Sequence, residues 1–232
     1  TKLRQARPDA RLLLVSDHGF APFYWSVNLN RWLLDNGYLA LATEGEGGGD
    51  RVLADLFKGR NLWSAVDWRR TRAYSVGLGL IYLNLMGREP AGVVEPGARA
   101  EALEGELAQR LVWVRHPGNG QHAIRSVTLG RLAYRGPCLD DAPDLVVNFS
   151  PGFRVSWQSA LGGIDEPIVA ENKRAWSADH CSVAPEAVPG VVMGNLPLDT
   201  ARASIMDVAP TILTLQGVPV PNEMEGRSLY RK

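Results

Sequence analysis

The sequence predicts an α/β protein with a largely parallel central sheet. Two observations carry that expectation. Short apolar runs of strand length recur along the chain, among them Leu12-Leu13-Leu14-Val15, Leu145-Val146-Val147 and Val191-Val192-Met193. Segments with helical composition lie between them, and strands that alternate with helices form parallel sheets.

The elements follow in order. Leu12 to Val15 is the first strand, expected to be buried. Gly19 to Asn28 reads as a loop rich in aromatics (Phe20, Phe23, Tyr24, Trp25). A short helix spans about Asn30 to Asn36 and is closed by Gly37, with Asn28 and Asn30 as capping residues. Tyr38 to Leu41 is a short strand, and Glu44 to Asp50 a polar, glycine-rich surface loop. Strands are expected at Arg72 to Val76 and Leu80 to Leu85, around a break at Gly77 and Gly79. Pro96-Gly97 introduces a helix from Ala98 to Arg110, rich in Ala, Glu and Leu. His116 to Gly120 is a turn in which His116, and His122 beyond it, read as solvated residues. Asp144 to Phe149 and Pro189 to Gly194 are further strands. Near the end, Asp207 caps a helix containing Thr211 to Leu215, with Pro210 in its first turn, Gly217 as its stop and Pro219 beyond.

Composition narrows the function classes. The 232 residues contain 25 Lys and Arg against 25 Asp and Glu, so no global charge favours a nucleic-acid polymer or an anionic membrane. No apolar run approaches the roughly 20 residues of a membrane-spanning helix. Two cysteines, Cys138 and Cys181, are too few for a disulfide scaffold and leave their pairing, and the compartment, open. The basic run of Lys58, Arg60, Arg69, Arg70 and Arg72 reads as a solvated face. Cys181 reads as a structural thiol.

The chemistry concentrates at Ser16-Asp17-His18-Gly19. Along a regular strand Asp17 and His18 would point to opposite faces. A glycine directly after them lets the backbone turn, so that both converge on one point. A carboxylate oxygen and an imidazole nitrogen together suit a divalent metal such as Zn²⁺ or Mn²⁺. The end of a central strand is also where open α/β sheets place their sites. A second Asp-His pair, Asp179-His180, follows Trp176-Ser177-Ala178 and precedes Cys181.

These segments, with Ser204-Ile205-Met206-Asp207-Val208-Ala209-Pro210-Thr211-Ile212-Leu213 ending in Gly217-Val218-Pro219, resemble the alkaline phosphatase superfamily. The nearest branch is the type I phosphodiesterase/nucleotide pyrophosphatase group. Val27 to Leu33, Ile81 to Asn84 and Phe153 to Trp157 are similar to bacterial and archaeal members, so the likeness runs in order along nearly the whole chain.

The resemblance implies a three-layer α/β/α sandwich and two-metal hydrolysis of a phosphodiester, a nucleotide or another small phosphate ester. Two divalent ions, Zn²⁺ with Mn²⁺ as the alternative, act with a Thr or Ser nucleophile. Asp17 and His18 would ligate the ion that activates the nucleophile. His180 would ligate the second ion, with Asp179 orienting it from behind. Arg154 and Trp157 are candidates for a substrate pocket, phosphate on the guanidinium and a base on the indole, with a cation–π packing pair as their other role. A sulfatase, a phosphomutase or a non-catalytic binding module with a degenerate site are the alternatives.

The resemblance also implies a departure. The family's nucleophile and remaining ligands precede the Ser-Asp-His-Gly motif, whereas only fifteen residues precede Ser16, and none of them matches. The chain is therefore expected to be one incomplete domain lacking its amino-terminal part, with an accessory insertion at about 45–140 and no nucleophile of its own. On its own it should bind metal weakly and leave bis-p-nitrophenyl phosphate unhydrolysed with added Zn²⁺ or Mn²⁺; robust turnover would refute that expectation.

Overall fold

The structure, a computed structural model, describes residues 2–42 and 66–231. In chain order the elements are α1 (Lys2–Ala6), β1 (Leu13–Ser16), β2 (Ala21–Val27), α2 (Leu29–Asp35), β3 (Ala73–Ser75), β4 (Leu80–Leu83) and α3 (Ala98–Leu111). They continue with β5 (Ile124–Leu129), α4 (Gly130–Ala133), β6 (Leu145–Phe149), β7 (Gly152–Val155), α5 (Trp157–Ala160), β8 (Val169–Glu171), β9 (Ala178–Asp179), β10 (Val191–Gly194) and α6 (Val208–Leu215). The chain divides into two compact units, one made of residues 1–19 with 188–232 and the other of residues 20–187. The stretch expected as an insertion, about 45–140, falls within the second unit's span, and the glycine-rich loop, Lys58 and Arg60 lie outside the described residues.

The expected mostly parallel sandwich is not what forms. Among the described strands only β2 and β7 pair in parallel, and the other six strand pairs are antiparallel. A parallel pair needs a crossover of a dozen or more residues, and the connection between β3 and β4 is a tight turn instead. Gly77 and Gly79 sit there at φ +81° and +83°, a backbone that L side chains rarely adopt. The break at those glycines is therefore a hairpin.

In the second unit the order β3-β4-β6-β5 makes a four-stranded antiparallel sheet. The helix α3 lays Ala100, Leu103, Leu107 and Leu111 along one face, at the spacing of a core-facing stripe. These pack with Ile81, Leu83, Ile124, Leu145, Val147 and Phe149 into one hydrophobic core. An ion pair steadies the sheet, Arg88 Nη2 lying 2.7 Å from Asp144 Oδ2, which also accepts the Leu83 amide at 2.6 Å.

A second sheet has β2 at its centre, with β7 on one side and β8 and β9 pairing antiparallel. The aromatic segment expected as a loop is thus a strand. Its inward positions are Ala21, Phe23 and Val27, while Tyr24 faces out. Among the described residues Tyr38 to Leu41, expected as a strand, makes only an isolated bridge between Leu41 and Val66. Asn28 and Asn30 do not cap α2 with their side chains. Asn28 donates to the Pro167 carbonyl at 2.7 Å, and Asn30, fully buried, exchanges two bonds with the Ser75 backbone. His116 is no loose surface residue: its Nδ1 accepts the Gly118 and Asn119 amides, and its ring meets Trp25 edge-on at 4.0 Å.

The first unit is built differently. The strands β1 and β10 form a two-stranded antiparallel ribbon, Leu13 opposite Gly194 and Ser16 opposite Val191. The expected burial of the first apolar run does not occur, since Leu14 is 57% exposed. An apolar run marks a strand but does not by itself say what covers it. Polar clamps supply much of the order. The Asn195 side chain bridges the Ala10 carbonyl and the Leu12 amide, and Arg11 Nη1 donates to the Leu215 carbonyl. The terminal helix has the expected span, but Asp207 acts one step earlier than expected. In a capping box with Ser204 its carboxylate accepts the Ser204 amide at 2.9 Å, and it also takes the Arg227 amide at 2.8 Å.

Among the described residues no helix is long and apolar enough to cross a membrane.

Replacing Asp207 with Ala orphans two backbone amides and should cost about 1–2 kcal/mol, read as a lower urea midpoint. The Arg227 amide first, and then the Ser204 amide, hold this carboxyl below the ordinary carboxylate range. Its contribution is therefore complete above about pH 4 and is lost as the pH falls. The gap between wild type and variant should close on acidification; a gap that widens in acid would contradict the assignment.

Candidate functional site

The Asp17-His18 turn belongs to the first unit. After β1 the backbone leaves the ribbon, and Ser16 Oγ donates to the His18 carbonyl at 2.6 Å while the His18 amide donates to Asp17 Oδ1 at 3.1 Å. The Gly19 amide then donates to the Val188 carbonyl at 3.0 Å. Gly19 is not in the left-handed region, so the expected reason for it is corrected. What its missing Cβ allows is close approach, because a Cβ there would stand 3.1 Å from the Pro189 carbonyl oxygen. Gly190, just before β10, answers from the other side: a Cβ on it would meet the Ser16 and Asp17 carbonyl oxygens at 2.5 and 2.8 Å.

This packing sets the two side chains. His18 Nδ1 lies 2.9 Å from the Gly19 carbonyl oxygen, and an acceptor there assigns the proton to Nδ1. His18 Nε2 lies 3.7 Å from Asp17 Oδ2. Two ligand atoms around a tetrahedral Zn²⁺ stand about 3.3–3.5 Å apart for bonds near 2.0–2.2 Å, so little movement separates this pair from a ligating geometry. The Asp17 side chain is 69% exposed and that of His18 30%.

The Asp179-His180 segment belongs to the second unit and has a different character. Asp179 ends β9 and is buried. Its Oδ1 accepts the His180 amide at 2.7 Å and the Cys181 amide at 2.9 Å, and its Oδ2 lies 2.6 Å from Arg154 Nη1. Burial works to raise this carboxyl, but the Cys181 amide and the Arg154 charge outweigh it and hold the group below its usual range. With both oxygens engaged, Asp179 fixes the direction of the loop that carries His180. His180 meets Phe20 edge-on at 5.4 Å, and the ligand atoms of Asp179, His180 and Cys181 all lie within 4.8 Å of one another.

Arg154 is 1% exposed. It donates Nε to the Val155 carbonyl, and its guanidinium lies 5.0 Å from the Phe23 ring centroid and 4.3 Å from that of Trp157. Burial pushes its pKa down, and Asp179 opposes that shift. Trp157, 41% exposed, gives one face to this cation and keeps part of its ring at the surface.

Sequence reasoning undervalued Cys181. Neighbouring residues in a strand diverge, but the Asp179 carboxylate gathers two successive amides and Ser182 turns the chain at φ +65°. Cys181 Sγ thereby comes within 3.7 Å of His180 Nε2. Burial, then its bond to Asp179, pushes the thiol pKa up. Cys138 and Cys181 are both free thiols, Cys138 exposed.

Compared with protein-family models, with curated proteins and with solved structures, the chain gives no match.

The buried Arg154–Asp179 pair should dominate local stability. Arg154→Met strands a buried carboxylate and should cost about 3–5 kcal/mol in urea unfolding, whereas the double variant Arg154→Met/Asp179→Leu should recover part of the loss, the remainder reflecting the two amides that Asp179 accepts. A single variant as stable as wild type would remove the pair from this role.

Proposed function

We propose that this protein is a metal-dependent hydrolase of phosphate esters, with phosphodiester or nucleotide pyrophosphate bonds as its substrate class, in the manner of the alkaline phosphatase superfamily. The observation that carries this reading is the Asp17-His18 turn. One carboxylate oxygen and one imidazole nitrogen stand 3.7 Å apart, and the other ring nitrogen is committed to a backbone carbonyl. That second bond is the kind that orients a metal-ligating histidine and fixes its tautomer.

The donor set fits a hard or borderline ion, Zn²⁺ or Mn²⁺. In this reading Asp17 and His18 hold one ion. His180 contributes to a second, with Asp179 directing its loop through two amide bonds. Bound divalent ions supply charge neutralisation at a phosphoryl oxygen. Trp157, with Arg154 behind one face, offers the exposed part of its ring to a substrate base. The hydroxyl nucleophile that the resemblance implies is not among the residues assigned here.

The test uses the full-length protein with bis-p-nitrophenyl phosphate, and p-nitrophenyl sulfate as the competing substrate class, in Zn²⁺ or Mn²⁺. Metal content is measured alongside turnover. Asp17→Ala and His180→Ala should each weaken metal binding by about 100-fold or more and abolish phosphodiester hydrolysis. Unchanged metal content in both variants refutes the reading. Preferred turnover of the sulfate ester assigns the protein to sulfatase chemistry instead, and metal bound without turnover of either ester assigns it to a binding module.

A further inference from the structure

We propose that Cys181 joins His180 in holding an ion, so that this centre is a nitrogen–sulfur site selecting thiophilic cations such as Zn²⁺, Co²⁺ or Cd²⁺ over Mg²⁺ and Mn²⁺. The proposal rests on the assignment of His180 as a ligand made above, and adds to it a donor that changes which ions the site takes.

The geometry comes first. Cys181 Sγ lies 3.7 Å from His180 Nε2 and 4.0 Å from Nδ1. A tetrahedral Zn²⁺ with a thiolate at about 2.3 Å and an imidazole at about 2.0–2.1 Å places those two atoms about 3.5 Å apart. The Sγ–Nε2 distance is close to that value, and the imidazole has to turn to aim Nε2 at the ion, since a bound ring would hold Nδ1 about 5 Å from Sγ.

The convergence is held from outside the pair. Asp179 accepts both the His180 and Cys181 amides on one oxygen. Beyond them the Ser182 carbonyl accepts the Phe149 amide at 2.8 Å, and Ser182 Oγ accepts the Val155 amide at 3.1 Å. The loop is thus tied to three strands, β6, β7 and β9.

Charge points the same way. The carboxylate of Asp179 is matched by Arg154, so the two buried charges cancel and neither is left to neutralise a thiolate. A divalent cation supplies that neutralisation. Arg154, Asp179 and Cys181 also line one small cavity. Binding is balanced by proton release: the S–H bond breaks, its proton goes to solvent and the sulfur–metal bond forms with no change of oxidation state. Thiolate sulfur prefers Zn²⁺ and its soft analogues, and oxygen-seeking Mg²⁺ and Mn²⁺ gain little from it.

Cobalt reports sulfur ligation directly, because a Co²⁺–thiolate bond gives an intense near-ultraviolet charge-transfer band that nitrogen and oxygen ligands do not. Cys138→Ser leaves Cys181 as the sole thiol of the chain, so the test does not depend on a Cys181 variant folding. The full chain and Cys138→Ser should both develop the band on Co²⁺ titration, Zn²⁺ should displace it, and Mn²⁺ should not. Cys181→Ser should lose the band and bind Zn²⁺ about 10-fold or more weakly, with Mn²⁺ binding unchanged. Co²⁺ binding that His180→Ala abolishes, but that shows no charge-transfer band, overturns sulfur ligation and leaves His180 as a ligand. Absence of Co²⁺ binding altogether overturns both assignments.

Discussion

The second unit's site depends on one buried ion pair. Taking a guanidinium and a carboxylate out of water costs several kcal/mol for each ion, which close contact between the two offsets in part. Arg154 and Asp179 meet at 2.6 Å; two amides complete one Asp179 oxygen, and two aromatic rings flank the Arg154 cation. Because Arg154 comes from β7 and Asp179 from β9, both partners of β2, the pair ties together strands that follow one another only distantly in sequence. It also decides what Asp179 is for. A carboxylate so engaged directs the loop after it, and the neighbours His180 and Cys181 inherit their directions from that bond.

The local signals in the sequence were legible, and the pairing of strands was not. Apolar runs located β1, β6 and β10 to within a residue or two, and the Pro96-Gly97 start with an Ala-, Glu- and Leu-rich composition located α3. Parallel or antiparallel pairing depends on connections, and at Gly77 to Gly79 the same glycines that break a strand also reverse the chain. The strand β2 was hidden because its exposed Tyr24, with Phe20 just before it, looks like a sticky loop, and only its partners show that Phe23 and Val27 face inward. At the candidate site, the Asp17-His18 pairing followed from sequence, though its glycine serves close approach rather than a special φ. The Cys181 direction could not be read, because it comes from an Asp179 carboxylate whose orientation is set by Arg154, 25 residues earlier (179 − 154).

The two candidate clusters differ in how their environments would treat an ion. Asp17 and His18 sit on an open turn, where a cation exchanges with solvent and little desolvation accompanies binding. His180 and Cys181 sit on a loop backed by a dry, internally neutral pair, where any added charge is less screened and the donor atoms have less room to rearrange. Discrimination between ions is therefore expected to be sharper in the second environment than in the first.

The discontinuity of the first unit has a consequence for the order of assembly. Its ribbon joins Leu13 to Gly194, whereas residues 20–187 form the other unit as one continuous stretch. Closing so long a loop is slow, and its entropy cost falls once the intervening chain is already compact. During synthesis the continuous unit can fold while residues 188–232 are still unmade, but β1 has no partner until then. The Asp17-His18 turn leans on Val188 to Gly190 and so is among the last features of the molecule to acquire its shape.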